Sequence, residues 1–133
     1  MTDPAPQLAA DPTPADLVTA FLAAMEAREL ERAQALLAPG FRMVFPGTGP
    51  MHSLSELTAW ASGRYQRVAK DILRVETLSD GPKSTIFVSG TLYGAWSDGT
   101  PFQGIRFIDR FEVESGLITA QDVWNDIAEV RPR

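Results

Sequence analysis

The chain has 133 residues with a formal charge of −5 and a pI near 4.8, a size that fits one domain and a charge that sets it against nucleic-acid phosphates and anionic membrane surfaces. It contains no cysteine, which excludes disulfides, thiolate zinc sites and cysteine nucleophiles.

Met1 to Pro14 is acidic and carries four prolines, with neither the basic start nor the apolar run of a signal or transit peptide, so residues 1–12 are expected to form a disordered arm and 13–133 one folded domain. No apolar run approaches membrane-spanning length. A soluble, cytoplasmic protein is expected, and the alanine-rich composition fits a bacterial source. Thr13-Pro14-Ala15-Asp16 opens a first helix, with Leu17, Val18, Phe21, Leu22 and Met25 at helical spacing. A second helix, with Leu30, Ala33, Leu36 and Leu37 on one face, is expected to stop at Pro39-Gly40. Phe41, Met43 and Phe45 then alternate as in a short strand. Ser53-Leu54-Ser55-Glu56 reads as a capping box opening a third helix, whose face carries Leu54, Leu57, Trp60, Ala61, Arg64, Tyr65 and Val68 and which ends near Ala69.

Strand-like runs follow at Ile72 to Leu78, Ser84 to Trp96, Pro101 to Val113 and Leu117 to Ile127, with short turns that make neighbours antiparallel. Gly90, Gly94 and Gly104 are the candidate bend or bulge positions. The order α-α-β-α-β-β-β-β is that of an α+β domain.

The wording of several segments carries a family resemblance. Val44-Phe45-Pro46-Gly47, the pair Arg64-Tyr65, Trp96 with Asp98-Gly99-Thr100-Pro101-Phe102, the run Gly104-Ile105-Arg106-Phe107-Ile108-Asp109-Arg110-Phe111, and Trp124-Asn125-Asp126 resemble a bacterial subgroup of SnoaL-like proteins in the nuclear transport factor two-like superfamily. The match runs from about Pro14 to Val130. It implies a cone of three helices closed by a curved antiparallel sheet, a pocket between them, and commonly a dimer through the sheet. Activity is left open, since the superfamily holds ketosteroid isomerases, polyketide cyclases, dehydratases, epoxide hydrolases and non-enzymatic binding or dimerisation domains.

Alternation over Ile105 to Val113 puts Ile105, Phe107, Asp109, Phe111 and Val113 on one face and Arg106, Ile108, Arg110 and Glu112 on the other. Asp109 thus lies on an apolar face, and the resemblance to ketosteroid isomerases implies an acid kept protonated to donate to an oxyanion. A buried ion pair with an arginine such as Arg64 is the other reading. His52, the single histidine, sits before the third helix as a candidate proton shuttle. The isomerases' usual general base belongs to the segment from Pro46 to His52, which has no carboxylate. An epoxide-hydrolase-like relay would need Asp109, Arg64 or Arg106, and Asp126 to converge.

The candidate catalytic residues are therefore Asp109, His52 and Asp126. Phe45, Trp60, Arg64, Tyr65, Tyr93, Trp96, Phe107, Phe111 and Trp124 are the candidate ligand-binding residues, suited to a small apolar or aromatic ligand. In the last strand, Trp124 and Asp126 share the parity of Ile118, Ala120 and Asp122. The glycine-rich Pro46-Gly47-Thr48-Gly49-Pro50 lacks the lysine of a phosphate loop, no nucleophile elbow exists, and one histidine with scattered acids gives no metal signature. Two functions are consistent with these residues: a cofactor-independent enzyme moving protons on an apolar carbonyl compound, or a non-catalytic hydrophobic-ligand or dimerisation domain. A homodimer is expected through a sheet face bearing Ile108, Val123 and Ile127 beside Arg106, Arg110 and Glu112.

Overall fold

Thr13 begins the folded chain by a reciprocal cap: its hydroxyl accepts from the Asp16 N–H and the Asp16 carboxylate accepts from the Thr13 N–H, both at 3.0 Å. Helix α1 (Pro14–Glu26) follows and buries Val18, Phe21, Leu22 and Ala24. In the computed structural model, residues 11–131 are described. The arm expected over 1–12 lies almost wholly outside them.

Helix α2 (Leu30–Gln34) is shorter than its apolar face suggests. Leu37, placed by periodicity on this helix, instead opens strand β1 (Leu37–Val44), which runs parallel to the last strand with Leu37 beside Ile118. The Ile118 N–H donates to the Leu36 carbonyl at 2.9 Å, so the sheet takes the carbonyl that a longer helix would have used. Pro39 and Gly40 fall where the β1 register slips between Leu37 and Arg42, a bulge in a strand rather than a helix stop.

Helix α3 (Leu54–Ser62) starts where expected, with the Ser53 hydroxyl accepting from the Glu56 N–H at 3.2 Å, but the other half of the capping box is displaced by one residue, since the Glu56 carboxylate accepts from the His52 N–H. It ends at Gly63, seven residues before Lys70, and not near Ala69. Tyr65 and Val68 belong to strand β2 (Tyr65–Asp80), which pairs with β3 (Lys83–Trp96) from Tyr65 opposite Trp96 to Asp80 opposite Lys83. A ladder this long outweighs the local helical period of 64–68.

Strands β4 (Pro101–Glu114) and β5 (Leu117–Asn125) complete a five-stranded sheet of order β1-β5-β4-β3-β2. The sheet is mixed: β1 is parallel to β5, while the other three pairings are antiparallel. The last strand stops at Asn125, and Ile127–Val130 forms a short helix, α4, instead of continuing it. Gly90 and Gly94 bring β3 close to β2, whose Asp71 and Arg67 carbonyls occupy the space a Cβ would need. The ladders slip beside both glycines, which is how strands of this length curve.

The core lies between the inner sheet face and the helices, with Phe21 of α1 edge-on to Phe111 of β4, ring centroids 6.0 Å apart. Among the described residues no helix is long and apolar enough to cross a membrane.

Candidate functional site

Between α1, α3 and the inner sheet face lies a cavity of about 780 Å³, within the size range of small-molecule sites. Phe45, Trp60, Tyr65, Val68, Leu92, Phe107 and Val123 supply apolar wall, and Asp109, Lys70 and Gln121 form its polar corner. Phe45 and Trp60 pack with ring centroids 5.3 Å apart.

Alternation along β4 turns Asp109 inward with Phe107 and Phe111 and makes it 0% exposed. Its Oδ2 lies 3.6 Å from Lys70 Nζ and accepts from Gln121 Nε2 at 3.5 Å, while its Oδ1 has no partner among the described residues. Burial pushes the carboxyl above the ordinary carboxylate range, and the Lys70 ammonium and the Gln121 amide only partly oppose this. An ion pair and a raised pKa coexist because 3.6 Å is long for such a contact and little else solvates the carboxylate. The cation facing Asp109 is Lys70, not Arg64. Lys70 Nζ also lies 5.2 Å from the centre of the Phe107 ring.

Gln121 reaches the corner through a bulge. Glu112 pairs with Ala120 but Val113 pairs with Ile118, leaving Thr119 as an extra residue in β5. Ile118 is paired with the inward Val113 before the slip, and Gln121 and Val123 are buried opposite the inward Phe111 and Asp109 after it. The shared parity expected for Ile118, Ala120, Asp122 and Trp124 is therefore broken, and Asp122 and Trp124 turn to the outer face.

The other candidates are dispersed. His52 directs Nδ1 at the Phe41 carbonyl, 2.9 Å away, so Nδ1 carries the hydrogen, and its backbone N–H donates to Glu56. It does not line the cavity. Asp126 pairs with Arg106 at 2.6 Å on the surface, so Asp109, Arg106 and Asp126 do not form a relay. Arg64 stacks over Trp60 at 4.3 Å, with a buried Nε that has no protein partner. Tyr65 lines the cavity, and burial pushes its phenol up, so it stays a hydroxyl. Phe111 is plain core. Trp96 is buried against Phe102 and Tyr65. Tyr93 lies on a shallow depression of the opposite sheet face. Trp124 is 57% exposed beside Ile108, whereas Val123 and Ile127, expected on that outer face, are buried.

Sequence reasoning missed Lys70 and Gln121. A strand starting at Tyr65 would have placed Lys70 between Val68 and Ile72 in an inward alternation. Nothing local announced the slip at Thr119. Among the described residues no three His, Asp or Glu side chains converge as metal ligands.

Comparison with known proteins agrees with this architecture. The SnoaL-like domain model matches residues 18–121, and the chain belongs to that family. Solved structures of similar fold include a nuclear transport factor two-like protein of unknown function from Burkholderia pseudomallei, 22% identical over 85% of this chain and 90% of that one, with a TM-score of 0.70. A putative polyketide cyclase from Pseudomonas putida is 18% identical over 86% and 92%, with a TM-score of 0.69. TerC, co-crystallised with polyporic acid, is 16% identical over 88% and 95%, with a TM-score of 0.71. No curated protein matches the sequence.

Proposed function

We propose that this SnoaL-like domain is a cofactor-independent enzyme that moves a proton on an apolar carbonyl compound held in the cavity, with Asp109 as the exchanging group. The observation that carries the reading is a fully buried carboxyl on the cavity wall with one oxygen unengaged by protein. Its pKa lies above the usual range, which brings it nearer neutrality as a base. Taking a proton from the carbon next to a carbonyl leaves an enolate, and Lys70 is placed to offset that charge. Returning the proton elsewhere isomerises the compound, and attack by the enolate on a second carbonyl closes a ring. The polyporic acid in TerC supports a small organic occupant for this fold.

The test is hydrogen–deuterium exchange at the α-carbons of 2-tetralone in D2O, followed by NMR. The protein should accelerate exchange, and Asp109→Asn should lower that acceleration by about 10²–10⁴-fold while the protein remains folded. A second reading, a non-catalytic binding domain, is favoured by the absence of His52 and Asp126 from the cavity lining, which takes two of the three candidate catalytic side chains away from a ligand there. Saturable binding of 2-tetralone without accelerated exchange would select it.

For assembly, we place a second copy against the outer sheet face. Ile108 and Trp124 are cross-strand partners there, 47% and 57% exposed, forming an apolar pair amid Arg106, Arg110 and Glu112. Light scattering should give twice the 14.5 kDa chain mass, and Trp124→Glu should return it to one.

A further inference from the structure

Two acceptor atoms in the cavity are left unmatched by the protein. Asp109 Oδ1 and Gln121 Oε1 are both buried, and among the described residues neither has a hydrogen-bond partner. Both residues line the cavity and touch one another through Gln121 Nε2 and Asp109 Oδ2, so the two free oxygens belong to one corner. A buried acceptor without a donor is costly, and a site that keeps two of them is built for a donor that arrives from outside. Beside them is a complementary group: the Lys70 ammonium has three donors, lines the same cavity, and among the described residues has as its one polar contact the long approach to Asp109. Phe45, Trp60 and Phe107 supply apolar wall, and polar side chains such as Glu26, Arg28, Thr58 and Gln66 also line the cavity, but none of these has a buried side-chain atom left without a partner, which singles out this corner.

We infer that the corner formed by Lys70, Asp109 and Gln121 reads a hydroxyl adjacent to a carbonyl, so that the preferred occupant is an apolar hydroxyketone or its enol tautomer. The carbonyl oxygen accepts from Lys70, and the hydroxyl gives its single hydrogen to Gln121 Oε1 beside Asp109. Gln121 is on this account a specificity residue and takes no part in proton transfer. The inference rests on the proposed carbonyl chemistry for the type of compound and adds the neighbouring hydroxyl as the feature that is selected. Sites that hydrogen-bond a ligand hydroxyl discriminate strongly against the analogue that lacks it, because the analogue leaves their polar atoms unpaired.

The experiment is isothermal titration of the wild-type protein with 2-hydroxy-1-tetralone and with 1-tetralone, which differ by that hydroxyl alone. The hydroxyketone should bind at least about ten-fold more tightly. Gln121→Leu should reduce this preference several-fold; because it also removes the Nε2 donor to Asp109, the ratio of the two affinities is the readout, and a thermal melt checks that the variant is folded. Gln121→Met provides the same test with a more flexible side chain should the leucine variant misfold. Equal affinities for the two ketones in the wild type, no binding of the hydroxyketone at millimolar concentration, or a preference retained in both variants would overturn the inference. The readout involves no turnover: a hydroxyl preference without α-carbon exchange overturns the catalytic reading and leaves the subsite standing, whereas exchange without the preference does the reverse.

Discussion

Strands β4 and β5 carry two charged clusters back to back, and the same residue chemistry behaves oppositely on the two faces. On the outer face Arg110 meets Glu112 at 2.6 Å, Arg42 meets Asp122 at 2.9 Å, and Lys83 lies 3.7 Å from Glu112. On the inner face Asp109 has one cation, at 3.6 Å. The arginine beside Glu112 holds its carboxyl below the ordinary range, while burial holds Asp109 above it. Charge partners are present in both places, so solvent decides the sign: outside, water and several cations share the carboxylate, and inside the cost of desolvation exceeds what one distant ammonium returns. The outer cluster is structural lacing, and the inner one is a group poised to change charge.

Removing the inner cation should have the largest effect on this contrast. Lys70→Met leaves the Asp109 carboxylate without the cation that faces it, and chemical denaturation at pH 8 should show a loss of about 3 kcal/mol. That loss should shrink as the pH falls, since Asp109 can then take up a proton and cease to be charged.

Removing the inner anion tests the same contrast from the other side. A folded-state pKa above the unfolded value means that the native protein holds the extra proton, so stability contributed by Asp109 is present below the ordinary value of about 3.9 and is lost as pH rises through the raised one. Glu112, with a lowered pKa, gives the opposite slope: its contribution is present above the ordinary glutamate value and is lost as pH falls through the lowered one. Asp109→Asn should therefore leave neutral-pH stability unchanged or raise it by roughly 1 kcal/mol, with the gain over wild type growing from pH 4 to pH 7. A gain that stays flat across that range would remove the inner half of the comparison.

The smallest effect should come from the outer face. Glu112→Gln should cost about 0.2–1 kcal/mol, and thermal melts in molar salt should erase most of the difference. A cost that persists in high salt would mean that Glu112 is doing more than lacing the surface.

How much of this was visible in the sequence depended on whether local pattern or distant pairing controlled the residue. The Thr13 and Ser53 N-caps and the inward row on β4 are local, and they stand as read. The family resemblance supplied the α+β cone. The errors fall where the sheet overruled a helical period: Leu37 is drawn into parallel pairing with β5, and Tyr65 and Val68 into the β2 ladder. For the site, Asp109 was legible because charge on an apolar face stands out. Lys70 was hidden by the misplaced helix end. Gln121 was hidden by one extra residue, Thr119, since a single-residue slip exchanges the faces of everything beyond it.

The position of β2 at the edge of the sheet has a dynamic meaning. Asp109 sits on β4, held by ladders on both sides, but Lys70 sits on a strand that, among the described residues, has β3 as its one ladder partner. Edge strands open locally at lower free energy than central ones, so the cation has more freedom to retreat than the acid has to follow. An excursion of β2 that carried Lys70 away would lengthen an already long contact and strengthen the grip of Asp109 on a proton, which would tie the opening of one strand to the basicity of one carboxyl.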